Sequence, residues 1–231
     1  MTIVFFIGFG LIARYIPPPD PALSAADIAD MYRQHSVRIR LGMLLSMWAG
    51  VLCVPWVIVI GLQMKRIEGQ FAPLAYVQMA LGLLLPMEFI VPLYFFQVAA
   101  YRPGRSVEVV QALNDLGWLP FTGLVYTVVG QAIVIGVAIL TDKRTTPVFP
   151  RWAGYFSIWA GLLMTPASLD VFFMDGPLAW NGAIAWWVLL VTFFVWLIVL
   201  TVVTFQAIGS HETEHSAPNL ESSSGARAAN A

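Results

Sequence analysis

Charged residues are scarce in this chain of 231 residues. Asp, Glu, Lys and Arg together supply only 11% of the positions, whereas hydrophobic residues supply 59%. Soluble domains contain about 25% charged residues and about 45–50% apolar residues. Thirteen acidic residues against twelve basic ones leave a formal net charge of −1, so net charge gives no argument for a nucleic-acid partner. The composition is typical of a membrane protein whose main surroundings are the lipid bilayer.

Cysteine and histidine are almost absent as well. Cys53 is the single cysteine, so neither an intramolecular disulfide nor a cysteine-rich metal site can form. The three histidines, His35, His211 and His215, all lie outside the long apolar runs. Bis-histidine haem sites and histidine-rich iron clusters of membrane enzymes need imidazoles within the spans. We therefore predict no cofactor and no metal ion.

Five apolar runs are long enough to cross about 30 Å of hydrocarbon, which takes roughly 20 residues. A sixth run, IVFFIGFGLIARYI, is marginal in length. We interpret it as a first spanning helix whose upstream part is missing, with translation starting further upstream. The predicted fold is all-α, a polytopic transmembrane bundle of six spans, with five spans as the alternative. The predicted spans cover residues 3–16, 41–63, 72–100, 118–141, 152–174 and 183–208.

Two polar connections separate these runs within a predicted transmembrane domain over residues 1–208. PPPDP ends the first helix, because proline lacks an amide donor and clashes with the preceding turn. Ser24 and Asp27 then form an N-cap pattern for a short amphipathic helix at the membrane interface. Residues 101–117 show a second helical periodicity. If every run spans the membrane, both connections fall on the same side.

A polar segment over residues 209–231 contains the most specific motif in the chain. GSHETEH matches the H-E-x-x-H pattern of zinc metalloproteases, with His211 and His215 as metal ligands and Glu212 as the base. A working site needs a rigid helix and a third ligand. The composition of this segment is typical of a disordered tail, so we interpret the match at 211–215 as fortuitous and do not predict an enzyme.

Two acidic residues, Glu88 and Asp170, lie inside the apolar runs. An ionised carboxylate in hydrocarbon costs several kcal/mol unless it is paired, protonated or hydrated. Acids at such positions are for this reason functional candidates. The structural alternative is that both residues cross-link helices, paired with Arg102 or Arg38 near the interface.

We predict that the two acids share a membrane-embedded pocket that binds a ligand or passes a proton. Their similar depth in the spans supports the grouping, as does the helical spacing of Asp170 with aromatic residues of its own run. The predicted ligand-binding or proton-handling residues are Glu88, Asp170, Gln131, Tyr155 and Trp159. The predicted rim of the pocket consists of Asn114, Asp115, Asp175 and Asn181.

Tryptophans and small residues in the apolar runs have structural interpretations. Tryptophans near the predicted span ends are typical of interfacial anchors. They are Trp118, Trp152, Trp180, Trp186 and Trp187. Gly42, Ser46 and Gly50 form a stripe at i, i+4 and i+8 that lets helices approach closely.

Three classes of function remain open from these features. The first is a protein that binds or transports an apolar or amphiphilic, lipid-like small molecule through the pocket at Glu88 and Asp170. The second is an accessory or assembly subunit whose small-residue stripes pack against a membrane-protein partner or a second copy of the chain. The third, an intramembrane enzyme, needs a nucleophile and a base that this set of residues does not supply.

Three runs resemble those of a group of multi-pass bacterial inner-membrane proteins that have no assigned activity. They are LNDLGW, FPRWAGYFSIWAGLLMTPASLDVFF and GPLAWNGAIAWW. The likeness covers most of residues 17–208. The resemblance implies a helical bundle in a bacterial cytoplasmic membrane, and it brings no binding residues with it.

Overall fold

The computed structural model describes residues 1–216, and the side chains of residues 1–210. All regular structure in this part of the chain is helical. Eight α-helices occur here: α1 (Thr2–Phe5), α2 (Ala25–Val51), α3 (Cys53–Glu68), α4 (Pro73–Tyr101), α5 (Val107–Gly123), α6 (Tyr126–Thr141), α7 (Arg151–Met164) and α8 (Leu189–Ser216). Three further segments continue them: a π-helix after α1 (Phe6–Ile12), a 3-10 helix after α7 (Thr165–Phe172) and a π-helix before α8 (Ala183–Val188).

Four helical segments within the described residues are long and apolar enough to cross a membrane. They are Ala25–Glu68, Pro73–Tyr101, Val107–Thr141 and Ala183–Ser210. Each contains or closely matches one predicted span, which supports the membrane assignment. The all-α class is confirmed, because all regular structure in the described residues is helical. The two remaining predicted spans correspond to shorter helices. Thr2–Ile12 is a short apolar helix, and α7 reaches Phe172 only through its 3-10 extension.

The predicted amphipathic helix forms the first part of α2. The hydroxyl of Ser24 accepts the Asp27 N–H at 3.2 Å and caps the helix. His35 has non-helical torsions (φ −121°, ψ 19°) and separates this part from the apolar remainder. Ile28 and Tyr32 are buried, so the apolar side of this helix packs against the protein itself rather than resting on the membrane surface.

One end of the bundle, here called the Pro19 end, brings together the connections at 13–24, 102–106 and 173–182. The indole Nε1 of Trp180 donates to the carbonyl of Pro19 at 2.9 Å. The guanidinium of Arg33 donates to the carbonyl of Pro103 at 3.1 Å. These contacts place the two predicted polar connections on the same side.

The opposite end, here called the Arg66 end, joins the end of α3 to the end of α8 through a hydrogen bond from Arg66 to the carbonyl of Ala207 at 2.9 Å. Helices α4 and α6 run antiparallel between the two ends. Gly82 of α4 packs against Gln131 of α6, and six residues further along α4 the Thr127 hydroxyl reaches Glu88. The connection after α6, residues 142–150, therefore also lies at the Arg66 end.

The short N-terminal helix is a central element of the bundle. Phe5 and Phe9 are fully buried in a network of aromatic rings. A Cβ at Gly42 would lie 2.5 Å from the carbonyl oxygen of Gly8, so only glycine allows this crossing of two helices. Gly50 packs in the same way against Phe89. The small-residue stripe on α2 thus faces helices of its own chain.

Helix α8 extends to Ser216, eight residues beyond the predicted end of the last span. The predicted disordered tail over 209–231 therefore begins within a helix. Residues 217–231 lie outside the described residues, and so do the side chains of the H-E-x-x-H pattern at 211–215.

Candidate functional site

A break between α5 and α6 lies in the middle of the Val107–Thr141 segment. Leu124 leaves the helical region (φ −79°, ψ 58°). The N–H of Val125 donates to the carbonyl of Gly123 at 2.9 Å instead of to the carbonyl four residues earlier. Thr122 and Thr127 lie on either side of this break, and each donates its hydroxyl to one of the two intramembrane acids.

Glu88 lies near the middle of the longest uninterrupted span, α4 (Pro73–Tyr101). The Thr127 hydroxyl donates to Oε1 of Glu88. Among the described residues no lysine or arginine lies within ion-pair distance of this carboxylate. A single hydroxyl does not neutralise a carboxylate in hydrocarbon. The negative charge of an ionised Glu88 is therefore not compensated by the described residues.

Asp170 is only 1% exposed and accepts the Thr122 hydroxyl. Its other oxygen, Oδ1, has no hydrogen-bond partner among the described residues. The carboxylate packs against Gly123, where an added Cβ would lie 2.5 Å from Oδ1. The absence of a side chain at Gly123 allows Asp170 to reach Thr122. Neither acid pairs with Arg102 or Arg38.

The structure does not bring Tyr155 and Trp159 together with Asp170. Their side chains are 56% and 64% exposed on the outer surface of α7, whereas Asp170 is buried. The helix tightens at Thr165 from 3.6 to about 3.0 residues per turn. Over the five residues to Asp170 this adds a rotation of about 100°, which turns the acid away from the exposed face.

The remaining predicted residues are dispersed. Gln131 is fully buried beside Gly82, and both of its amide atoms lack a hydrogen-bond partner among the described residues. The side-chain oxygen of Asn114 accepts a hydrogen bond from the Tyr32 hydroxyl at 3.1 Å, and its side-chain NH₂ donates to Asp115 at 3.4 Å. Asp175 is exposed and Asn181 is partly buried in the connection before α8. Of the predicted set, only Glu88 lines the two cavities described next.

An inner cavity of about 60 Å³ lies beside Glu88. Aromatic side chains supply half of its lining residues: Phe5, Phe89, Phe121, Trp186, Phe193 and Phe194. The indole Nε1 of Trp186 is buried without a hydrogen-bond partner among the described residues. The volume exceeds the 10–15 Å³ or so that one water requires, so the cavity can hold a few waters or a short apolar group.

An outer groove of about 300 Å³ also borders Glu88. Its apolar walls include Leu84, Met87, Val91, Leu124 and Tyr126, all of them exposed on the surface of the helices. A surface of this kind at mid-helix faces the hydrocarbon of the bilayer. Glu88 and Leu124 line both the groove and the inner cavity, so the carboxyl lies where the two spaces approach each other.

Sequence reasoning missed the aromatic wall of the inner cavity. Trp118 and Trp186 were expected at the interfaces, but they are buried in the centre of the bundle with ring centroids 5.7 Å apart. Trp180 is also mostly buried, whereas Trp152 and Trp187 are exposed. Helical spacing of aromatic residues is a signal that connects some of the wall residues, for example the seven-residue spacing of Trp186 and Phe193.

Searches against protein-family models, curated proteins and solved structures found no match to this chain. The described side chains also contain no group of three or more His, Cys, Asp or Glu residues that could hold a metal ion. The geometry around Glu88 is the feature of this chain that bears most directly on its function.

Proposed function

We propose that this chain binds an apolar or amphiphilic small molecule within the membrane and holds or transports it through the site at Glu88. The observation that supports this proposal most directly is the position of Glu88 between two apolar spaces, with the Thr127 hydroxyl as its only hydrogen-bond partner among the described residues. A carboxyl group serving only to cross-link helices would have a cationic partner or several donors.

The outer groove supports lateral entry of the ligand from the bilayer. Its walls are apolar and exposed at the middle of α4. A water-soluble ligand would have to leave water and enter the hydrocarbon before it could reach this depth. An amphiphile already dissolved in the hydrocarbon would reach Glu88 without that step. We infer that the ligand combines an apolar body with an amine or another hydrogen-bond donor, because a carboxyl group binds such donors strongly in a low-dielectric setting.

The inner cavity gives this ligand a second place to bind. The aromatic side chains of its wall suit an apolar group. Passage between groove and cavity requires movement of Leu124, which borders both. Leu124 lies in the non-helical break between α5 and α6, where few backbone hydrogen bonds oppose such a movement.

We also propose the six-span arrangement that the apolar runs predict, in the bacterial cytoplasmic membrane that the resemblance of residues 17–208 implies. Two features support a pass by α7 and the alternation of the connections between the two ends of the bundle. Helix α7 is about 21 Å long and its 3-10 extension about 16 Å long, and together they exceed the thickness of the hydrocarbon core. The contacts of the connections also place them at two ends of the bundle. Cysteine-accessibility mapping in a Cys53→Ser background tests this arrangement, and adjacent connections labelled from the same side would contradict it.

The function is tested by native mass spectrometry of the protein gently extracted from its own membrane. Wild type, Glu88→Gln and the control Glu108→Gln, which removes an exposed acid of α5, are compared. We expect a discrete bound molecule in wild type and in the control, and its loss from Glu88→Gln with the melting temperature retained. An empty protein that carries a second polypeptide in all three samples would contradict the proposal and favour an accessory subunit.

A further inference from the structure

A second groove lies at the Pro19 end, on the outer surface of α4. It has a volume of about 310 Å³ and is lined by Arg40, Tyr94, Gln97, Val98 and Tyr101. Arg102 borders the open space immediately beside it. These six residues are called the Tyr101 groove below. The groove is separate from Glu88, which lies 13 residues earlier in the same helix.

Two arginines of the Tyr101 groove have no acidic partner in the part of the chain whose side chains are described. The guanidinium carbons of Arg40 and Arg102 are each 5.8 Å from the ring centroid of Tyr101, so they lie no more than twice that distance apart. Within the described residues, neither is within ion-pair distance of a carboxylate, whereas Arg33 pairs with Asp30. Two like charges at this separation repel each other. An anion within reach of both long side chains would offset the repulsion and accept their hydrogen bonds.

The position of the groove points to the membrane surface. Tyr101 is the last residue of a spanning helix, and the side chains of Tyr94 and Tyr101 are 58% and 62% exposed. A spacing of seven residues places both rings on one face of the helix. Exposed tyrosines at such a place are typical of the interface between hydrocarbon and water, and arginines there reach the head groups.

An apolar stripe leads from the groove into the hydrocarbon. Val91, Tyr94, Val98 and Tyr101 follow each other at helical spacing, and the first two are clearly exposed. The ten residues from Tyr101 to Val91 correspond to about 15 Å along the axis. That length equals about half of the hydrocarbon core, which is the depth of one leaflet.

We propose that the Tyr101 groove binds one anionic phospholipid, whose phosphate is held by Arg40 and Arg102 and whose acyl chains lie along the exposed stripe of α4. The amide of Gln97 lies in the same groove and makes only one long contact, 3.9 Å to the sulfur of Met47. It is therefore available to a head-group oxygen. The two positive charges select an anionic lipid over a zwitterionic one, because a zwitterionic head group does not offset them.

The test is a lipid titration followed by native mass spectrometry, with phosphatidylglycerol and phosphatidylcholine of identical acyl chains. The variant is Arg40→Gln with Arg102→Gln. The matched control is Lys143→Gln with Arg151→Gln, which removes two exposed charges at the Arg66 end. We expect wild type and control to bind phosphatidylglycerol about tenfold or more tightly than the Arg40 and Arg102 variant does, with little change for phosphatidylcholine.

Equal binding of phosphatidylglycerol by the two double variants would overturn the proposal. So would binding of soluble glycerol phosphate as tight as that of the whole lipid, because the acyl chains would then contribute nothing. A wild-type titration at two salt concentrations remains decisive if the variant does not fold. Salt screens exposed charges, so phosphatidylglycerol must bind more weakly at high salt, and salt-independent binding would also overturn the proposal.

Discussion

Asp142 at the end of α6 and Glu88 near the middle of α4 are both carboxylates of the apolar bundle, but their surroundings differ. Asp142, just after α6, accepts three hydrogen bonds from Arg144, through its backbone N–H and its guanidinium, and a fourth from the N–H of Val148 at 3.0 Å. Glu88 accepts one hydroxyl, from Thr127. Asp142 is 5% exposed and has its charge compensated, whereas Glu88 is half-buried without any cation nearby among the described residues.

The comparison separates a structural acid from an available one. The partners of Asp142 come from the next six residues, so the carboxylate closes its own connection into a fixed shape. The single partner of Glu88 comes from another helix and carries no charge. A carboxylate whose hydrogen bonds are already complete is stabilised little by binding a further ligand. An unpaired carboxylate in a low-dielectric setting is stabilised strongly by a ligand that donates a hydrogen bond. Asp170, with one hydroxyl and one unpartnered oxygen, resembles Glu88 in this respect.

The largest effect is expected for Asp142→Ala. The substitution removes the ion pair with Arg144 and leaves the buried N–H of Val148 without an acceptor. We expect a loss of about 3 kcal/mol in the free energy of unfolding, measured by thermal or denaturant unfolding in detergent. Lys143→Ala, an exposed neighbour, is the control and should change stability by less than about 0.5 kcal/mol. If Asp142→Ala leaves the free energy of unfolding unchanged, the contrast between Asp142 and Glu88 does not hold.

A smaller effect is expected for Gly123→Ala, which tests the approach of Asp170 to Thr122. The added methyl group would lie 2.5 Å from Oδ1 of Asp170, and the overpacking should cost about 1–3 kcal/mol. Gly130→Ala is the matched control, because its methyl group would meet only a flexible end of Leu81 at 3.1 Å. Equal melting temperatures for the two variants would show that the contact at Gly123 can relax.

The pH dependence of stability should show the smallest effect. Burial by itself raises the pKa of Asp142, but the hydrogen bonds from Arg144 and Val148 and the charge of Arg144 outweigh it, so the pKa lies below the usual 3.8. The unfolded chain therefore binds this proton more readily than the folded one. The stabilisation by Asp142 is complete above pH 3.8 and is lost as the pH falls through the lower, folded-state pKa.

Melting curves of wild type and Asp142→Ala over a pH series measure this loss. The difference between the two proteins should be constant at neutral pH and shrink below pH 3.8. Because both proteins share every other titrating group, the difference isolates this carboxylate. A difference that grows on acidification would contradict the assignment.

Period and composition were enough to predict the helices of the spans. A run such as residues 72–100 can satisfy its backbone in hydrocarbon only by forming a helix, and it does so over Pro73–Tyr101. The cap at Ser24 was equally predictable, because it depends on residues three positions apart. The choice of Glu88 as a candidate also followed from its sequence context, since an acid in an apolar run needs an explanation wherever the chain folds.

Which residues lie together around each acid depended on packing between residues that are distant in the chain. Thr122 joined Asp170 because α7 tightens into a 3-10 helix, and no periodic pattern of residues 152–174 reveals that change of rotation. The same change left Tyr155 and Trp159 on the outer surface. The aromatic wall around the inner cavity includes residues as far apart in the chain as Phe5 and Phe194.

The sequence by itself determined that this chain is helical, that it belongs in a membrane and that Glu88 lies within a span, because each of these depends on local hydropathy and hydrogen bonding. Only the tertiary structure decided which groups surround Glu88 and that it borders two apolar spaces. Its partner Thr127 lies 39 positions away in the chain, and such a contact is set by how whole helices pack, with their glycines at the crossings and their breaks beside the acids.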